Sequence, residues 1–195
     1  MTNRKEMFAK ESLQSYGGGM ALTSKVVEDL DTLKAVSHPL RMALLGNLRA
    51  HGPATASELG RALGESSGST SYHLRQLERY GFIGDADEQP SGRERRWKSL
   101  YDLTNFPTAL AELDGGREYL DTVRRRQEER LKAGLTAWTE TRPGIGHSDY
   151  AVRLDPDDLQ AMEAEIEEVI SRYSDRKGSE RVTVHVLMLP WTKPT

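Results

Sequence analysis

One predicted helix, over residues 66–80, places chemically active side chains on a single face. At ~100° per residue, Ser67, Thr70, Leu74 and Leu77 fall together on the opposite, packing side. The active face carries Gly68, Ser69, Tyr72, Arg75, Gln76 and Arg79. Hydroxyl, amide and guanidinium groups hydrogen-bond to base edges and to phosphates. The face is therefore typical of a nucleic-acid contact.

The leading turn of this helix is built from Ser, Gly and Thr. The first turn of a recognition helix enters the major groove first, and small residues let its backbone approach DNA. Free backbone N–H groups there attract phosphate. Tyr72 would then reach a base edge or a thymine methyl. His73, at the edge of the packing side, is predicted to pack or to contact a phosphate. The predicted DNA-contacting residues of this helix are Ser67, Gly68, Ser69, Ser71, Tyr72, His73, Arg75, Gln76 and Arg79.

Helices before residue 66 must hold this face in place. Thr55 and Glu58 form a predicted capping box at the start of a short helix, and Gly64 ends it with a tight turn. Two helices joined by a short glycine turn are the helix-turn-helix outline. Upstream, apolar spacing predicts a first helix over 24–37 and a second that begins at Pro39.

A β-hairpin is predicted after the helix-turn-helix, with arms near Phe82-Ile83 and over residues 95–101 around a polar tip. Its second arm is basic. The predicted DNA-contacting residues of this arm are Arg93, Arg95 and Arg96. As a wing, the hairpin would lie along the DNA backbone or minor groove. A solvated hairpin edge is the alternative.

The rest of the chain supplies candidate partner surfaces. Residues 106–138 predict a long helix, broken or kinked at Gly115-Gly116, whose thin apolar stripe requires a partner. Residues 147–190 predict a strand–helix–strand extension; from Asp149 to Asp175 it holds nine acids and two arginines, which argues against DNA contact. Residues 1–22 predict a mobile arm or a short docking helix. The predicted domains are 1–22, 23–104, 105–141 and 147–190.

The run LKAVSHPLRMALLGNLRAHGPATASELGRALGESSGSTSYHLRQLERYGFI and the later GRERRWKSLY resemble the winged helix-turn-helix of the ArsR family of bacterial transcription regulators. The similarity spans about residues 30–103. It implies an α+β fold, mainly α with a small hairpin wing. It also implies a homodimer that binds a palindromic operator, often as a repressor, and pairs through its first and last helices, here 24–37 and 106–138.

The metal-sensing branch of that family uses cysteine, or His and acidic ligands on its last helix. This chain has no cysteine, and residues 106–138 contain no histidine, so no metal or other cofactor is predicted. The role of the C-terminal extension stays open between holding a small-molecule effector, widening the dimer and covering the core.

Composition narrows the function classes. The net charge of −3 does not itself favour nucleic-acid binding, so only local clusters of basic residues could provide it. The absence of cysteine fits a cytoplasmic protein. The sequence shows neither a membrane span nor a signal peptide. It shows no nucleophile elbow, phosphate loop or zinc motif, so an enzyme is not predicted. The alternative to a DNA-binding regulator is a winged-helix module that binds another protein.

Overall fold

The computed structural model describes residues 22–89, 94–141, 150–174, 176, 178 and 182–189. The described residues divide into two compact units, one over residues 23–141 and the other over residues 150–189. The first unit contains the predicted helix-turn-helix. The predicted arm over 1–22 lies almost entirely outside the described residues.

The first unit opens with a strand where the sequence predicts a helix. Strand β1 (Ser24–Val26) pairs in parallel with strand β5 (Leu103–Asn105), and helix α1 runs only from Leu30 to Ser37. The carboxylate of Asp29 accepts a hydrogen bond from the Thr32 backbone N–H at 2.7 Å and caps the helix there. The prediction of a helix start at residue 23 or 24 is therefore wrong, because the apolar spacing through Val26 and Val27 also suits a strand that leads into a cap.

The next elements follow the predicted order. Helix α2 spans Pro39–His51, strand β2 Ala54–Thr55, helix α3 Ala56–Leu63 and helix α4 Ser67–Arg79. The predicted capping box is confirmed, since the Thr55 hydroxyl accepts from the Glu58 N–H at 3.2 Å and the Glu58 carboxylate accepts from the Thr55 N–H at 2.7 Å.

Helices α3 and α4 pack closely through a glycine. A Cβ on Gly60 would lie 2.8 Å from the Glu65 carbonyl oxygen and 3.2 Å from the Thr70 hydroxyl. Only glycine fits such a distance without a shift of the backbone. Leu59, Leu74 and Leu77 are fully or almost fully buried beside it. This packing sets the angle at which α4 leaves the domain.

Thr70 offers a stability test of this packing. The side chain is fully buried, and its hydroxyl has no hydrogen-bond partner among the described residues. Because valine has the same shape without the buried hydroxyl, Thr70→Val should raise the free energy of unfolding by about 1 kcal/mol. Thr55→Val is the control; it removes a hydroxyl that caps α3 and should lower that free energy by about 1 kcal/mol. Urea denaturation of both variants measures the difference. A destabilised Thr70→Val would show that the Thr70 hydroxyl has a stabilising partner.

The predicted hairpin is confirmed. Strand β3 (Ile83–Asp85) pairs antiparallel with strand β4 (Arg96–Ser99), and β2 completes a three-stranded sheet in the order β2-β4-β3. Trp97 is 5% exposed and joins the hydrophobic core from β4. The sheet is therefore anchored to the helices through its central strand.

The predicted long helix is broken where expected. A 3-10 helix at Thr108–Glu112 ends before Gly115, which has φ of 75°, and helix α5 then runs from Gly116 to Thr141. Its first half packs on α1 and buries Val123. In its second half Leu135 is 44% exposed. Within the described part of the chain, the apolar stripe is thus covered over only part of its length.

The C-terminal unit differs from the prediction. Helix α6 (Pro156–Ser174) is present, but neither residues 150–154 nor residues 182–189 form a strand. Their alternating apolar side chains are exposed, Tyr150 by 85% and Val184 by 61%. A strand needs a hydrogen-bonded neighbour, and alternation alone does not supply one. No helix in the described part of the chain is both long and apolar enough to cross a membrane.

Candidate nucleic-acid interface

Helix α4 has one buried face and one open face. Thr70, Leu74 and Leu77 are completely buried, whereas Tyr72 on the opposite face is 54% exposed. The structure thus confirms the predicted phasing of these residues, except that Ser67 is exposed at the first turn. Of the other predicted contacts, Gly68, Arg75 and Arg79 are exposed, and Ser69, Ser71, His73 and Gln76 are half-buried.

Two cations give the open face its charge. Arg75 and Arg79 are four residues apart, which places them side by side on one face. Neither guanidinium has a hydrogen-bond or ion-pair partner within the described ranges. Both are free to meet an anion such as a phosphate or a base acceptor.

The leading turn of α4 is open on its outer side. A Cβ on Gly68 would meet no atom within 4 Å. The Ser66 hydroxyl accepts from the Ser69 N–H at 3.2 Å and so caps the helix, a role that serine favours at a helix start. The N–H groups of Ser67 and Gly68 have no acceptor among the described residues. The turn therefore offers slim backbone and free donors to a ligand.

His73 faces inward from the flank of α4. Its ring stacks on His38 with centroids 4.5 Å apart, and Arg41 Nη1 lies 3.5 Å from its Nδ1. Arg41 also donates to the carbonyls of Lys34 and Ala35 at the end of α1. These contacts tie α4 to the junction of α1 and α2, a packing role that the sequence favours for His73.

Burial lowers the pKa of both His38 and His73, and the charge of Arg41 lowers it further against an opposing effect of Glu65. Folded values thus lie below the unfolded value of about 6.5. As pH falls below about 6.5, the unfolded chain binds protons before the folded one does, so the free energy of unfolding should decrease.

Denaturant unfolding at about pH 7.5 and pH 5.5 measures this loss of stability, and His73→Gln should reduce it. His51→Gln, an exposed histidine at the end of α2, is the matched control and should behave as the wild type. Equal losses in wild type and His73→Gln would contradict the assignment.

The basic arm of the hairpin is paired with acids of its own chain. Arg95 contacts Glu78 and Asp85, and Lys98 Nζ lies 2.5 Å from the Asp87 carboxylate. Hydrogen bonding to Arg95 lowers the pKa of Asp85. Arg93 lies outside the described residues. The wing therefore carries less free positive charge than its sequence suggests.

The remaining described arginine of this arm is also engaged. Arg96 donates to the Pro53 carbonyl at 2.6 Å and lies 3.9 Å from the Glu58 carboxylate. Sequence reasoning found these cations and missed their acid partners. The partners lie on other elements, and no spacing rule along the chain relates them.

Helices α2, α3 and α4 with the three-stranded sheet form a winged helix-turn-helix, an α+β fold. Residues 36–83 match the family model described as "Helix-turn-helix domain". The chain thus contains a helix-turn-helix domain, the kind of domain that DNA-binding transcription regulators carry. Within the described ranges, no cluster of three or more His, Asp or Glu side chains could hold a metal ion.

Three solved structures are similar to parts of this chain. Reduced HlyU from Vibrio cholerae shares 25% identity over 35% of this chain and 68% of its own, with a TM-score of 0.31. NolR from Sinorhizobium fredii shares 21% identity over 37% of this chain and 68% of its own, with a TM-score of 0.32. A protein described as an ArsR family transcriptional regulator shares 25% identity over 58% of this chain and 91% of its own, with a TM-score of 0.30. No curated protein matches the chain significantly.

Proposed function

We propose that this chain is a sequence-specific transcription regulator of the ArsR type, a homodimeric repressor of a palindromic operator. Helix α4 enters the major groove, and the hairpin over 82–101 lies beside it as the wing. One observation carries the proposal: the open face of α4 presents Arg75 and Arg79 without partners among the described residues, behind a leading turn that has no side chain at Gly68.

The proposed DNA contacts of α4 divide by chemistry. Small residues at its start bring backbone N–H groups to the phosphates, while Tyr72, Arg75 and Gln76 read base edges. Arg79, near the end of the helix, holds a backbone phosphate. Because Gly68 and Arg75 are exposed on the same helix, both reach one groove at once.

The proposed dimer joins α1 and α5 of two copies. Leu135, on the second half of α5, supports this proposal because the described residues leave it 44% exposed. An open groove along α5, lined by Lys132, Ala133 and Thr136 among others, borders the same region. A twofold dimer presents two copies of α4 to half-sites one helical turn apart, which makes the operator palindromic.

Selection of bound duplexes from a random pool tests the function. The expected product is an inverted repeat, bound with a Kd of about 10⁻⁸ to 10⁻¹¹ M at physiological salt. Sedimentation of the complex should show two chains per duplex. A pool that yields no common sequence would overturn the proposal.

A second candidate function is recognition of another protein, and the acid-paired wing favours it because that surface is nearly neutral. Arg75→Gln with Arg79→Gln separates the two candidates. A DNA-binding regulator should lose most of its DNA affinity, and its salt slope should fall by about 1, because Arg79 is the one of the two that is assigned to a phosphate. Unchanged DNA affinity in this double variant would favour the protein-binding candidate. Replacing Arg95 or Arg96 is a poorer discriminator, because both hold the fold.

A further inference from the structure

Arg95, immediately before β4, connects three elements of the domain. Its two terminal nitrogens donate to both carboxylate oxygens of Glu78 on α4, at 2.6 and 3.1 Å. Its Nε donates to the Asp85 carboxylate at the end of β3, at 2.5 Å. One guanidinium thus joins the proposed recognition helix to both strands of the wing.

The face of this guanidinium is occupied as well. It lies 3.9 Å from the centre of the Trp97 ring, and Trp97 is itself a core residue. A planar guanidinium held at its edges by two carboxylates and on its face by an indole has a defined orientation. Lys98, by contrast, pairs with Asp87 inside the wing alone.

We infer that Arg95 is a positioning residue for DNA recognition, which sets the wing against α4 through Glu78 and Asp85, and is not a phosphate contact. This role rests on the proposed function. It reverses the expected effect of an acid: Glu78 carries negative charge beside a DNA-binding face, yet it strengthens operator binding by keeping the wing in place.

The role is tested by removing the negative charge of Glu78 and measuring whether operator affinity falls instead of rising. Glu78→Gln should weaken binding to the selected operator by about tenfold, because the bidentate pair is lost. Its affinity for a scrambled duplex should stay the same or rise. Asp87→Asn is the matched control, since it removes an equal charge within the wing and should leave operator affinity at or slightly above the wild-type value.

Arg95→Lys supplies the second arm. Lysine keeps the charge but cannot bind two carboxylates in the same fork, so operator affinity should fall as in Glu78→Gln, with the salt slope unchanged. The double variant should be no weaker than Arg95→Lys alone, because Arg95→Lys already removes the pair with Glu78. The indole N–H resonance of Trp97 should move in Glu78→Gln and stay in place in Asp87→Asn.

Three results would overturn the role. One is operator binding by Glu78→Gln that is as tight as that of the wild type. Another is full affinity in Arg95→Lys together with a salt slope about 1 lower in Arg95→Gln, as loss of a phosphate contact produces. The third is a Trp97 resonance that does not move in Glu78→Gln. Each of these leaves the proposed function intact. A wild-type protein that binds operator and scrambled duplex equally would overturn the function, and the role with it.

Discussion

Replacing Gly68 by leucine is expected to weaken operator binding by at least about 100-fold, equivalent to two lost base-pair contacts. The fold should accept the change, because a Cβ at this position meets no atom within 4 Å. The leucine would instead project from the leading turn of α4 into the space that DNA must occupy. Gel-shift titration gives the affinity, and thermal unfolding checks the fold.

Gly68→Ala is the matched control for this prediction. It adds a single methyl group and raises helix propensity, so stability should rise slightly and most operator affinity should remain. Retained operator affinity in Gly68→Leu would show that another element lies in the groove. Loss of affinity in both variants would show that even a methyl group is too large for the contact.

Replacing Gly116 by alanine is expected to destabilise the domain by about 3 kcal/mol or more, the range seen when a core is overpacked. A Cβ at this position would lie 1.9 Å from the Leu110 carbonyl oxygen, a backbone atom that cannot move aside alone. The first turn of α5 would have to shift away from the 3-10 helix. Urea denaturation measures the loss.

The neighbouring Gly115 is the control, because a substitution there tests backbone conformation without steric crowding. Gly115 has φ of 75°, but nothing lies within 4 Å of an added Cβ. Gly115→Ala should therefore cost only the left-handed penalty, about 1–2 kcal/mol. If Gly116→Ala were no more harmful than Gly115→Ala, the close packing of Gly116 would not be what fixes the start of α5.

The features that depend on residues close together in the sequence were predicted correctly. The capping box of Thr55 and Glu58, the serine cap of α4 and the break at Gly115 each depend on residues within a few positions of one another. The open and buried faces of α4 follow from its period, and Leu74 and Leu77 anchor the phase. These features made the candidate DNA-binding face predictable.

Features that depend on distant residues were not predictable. Strand β1 exists because Thr23 hydrogen-bonds to Asp102 and β1 pairs with β5, which lies about eighty residues along the chain. The ion pairs of Arg95 likewise join positions that only the folded domain brings together. Conversely, residues 182–189 carry a strand-like alternation but have no ladder partner within the described ranges.

Sequence-specific binding through α4 is tested most directly by comparing the affinity of the wild-type chain for the selected operator with its affinity for a scrambled duplex of equal length. If the open face of α4 reads base edges, the operator should bind at least about 1,000-fold more tightly at physiological salt. Tyr72→Ala and Arg75→Gln should each reduce that ratio. Equal affinity for the two duplexes would contradict the claim.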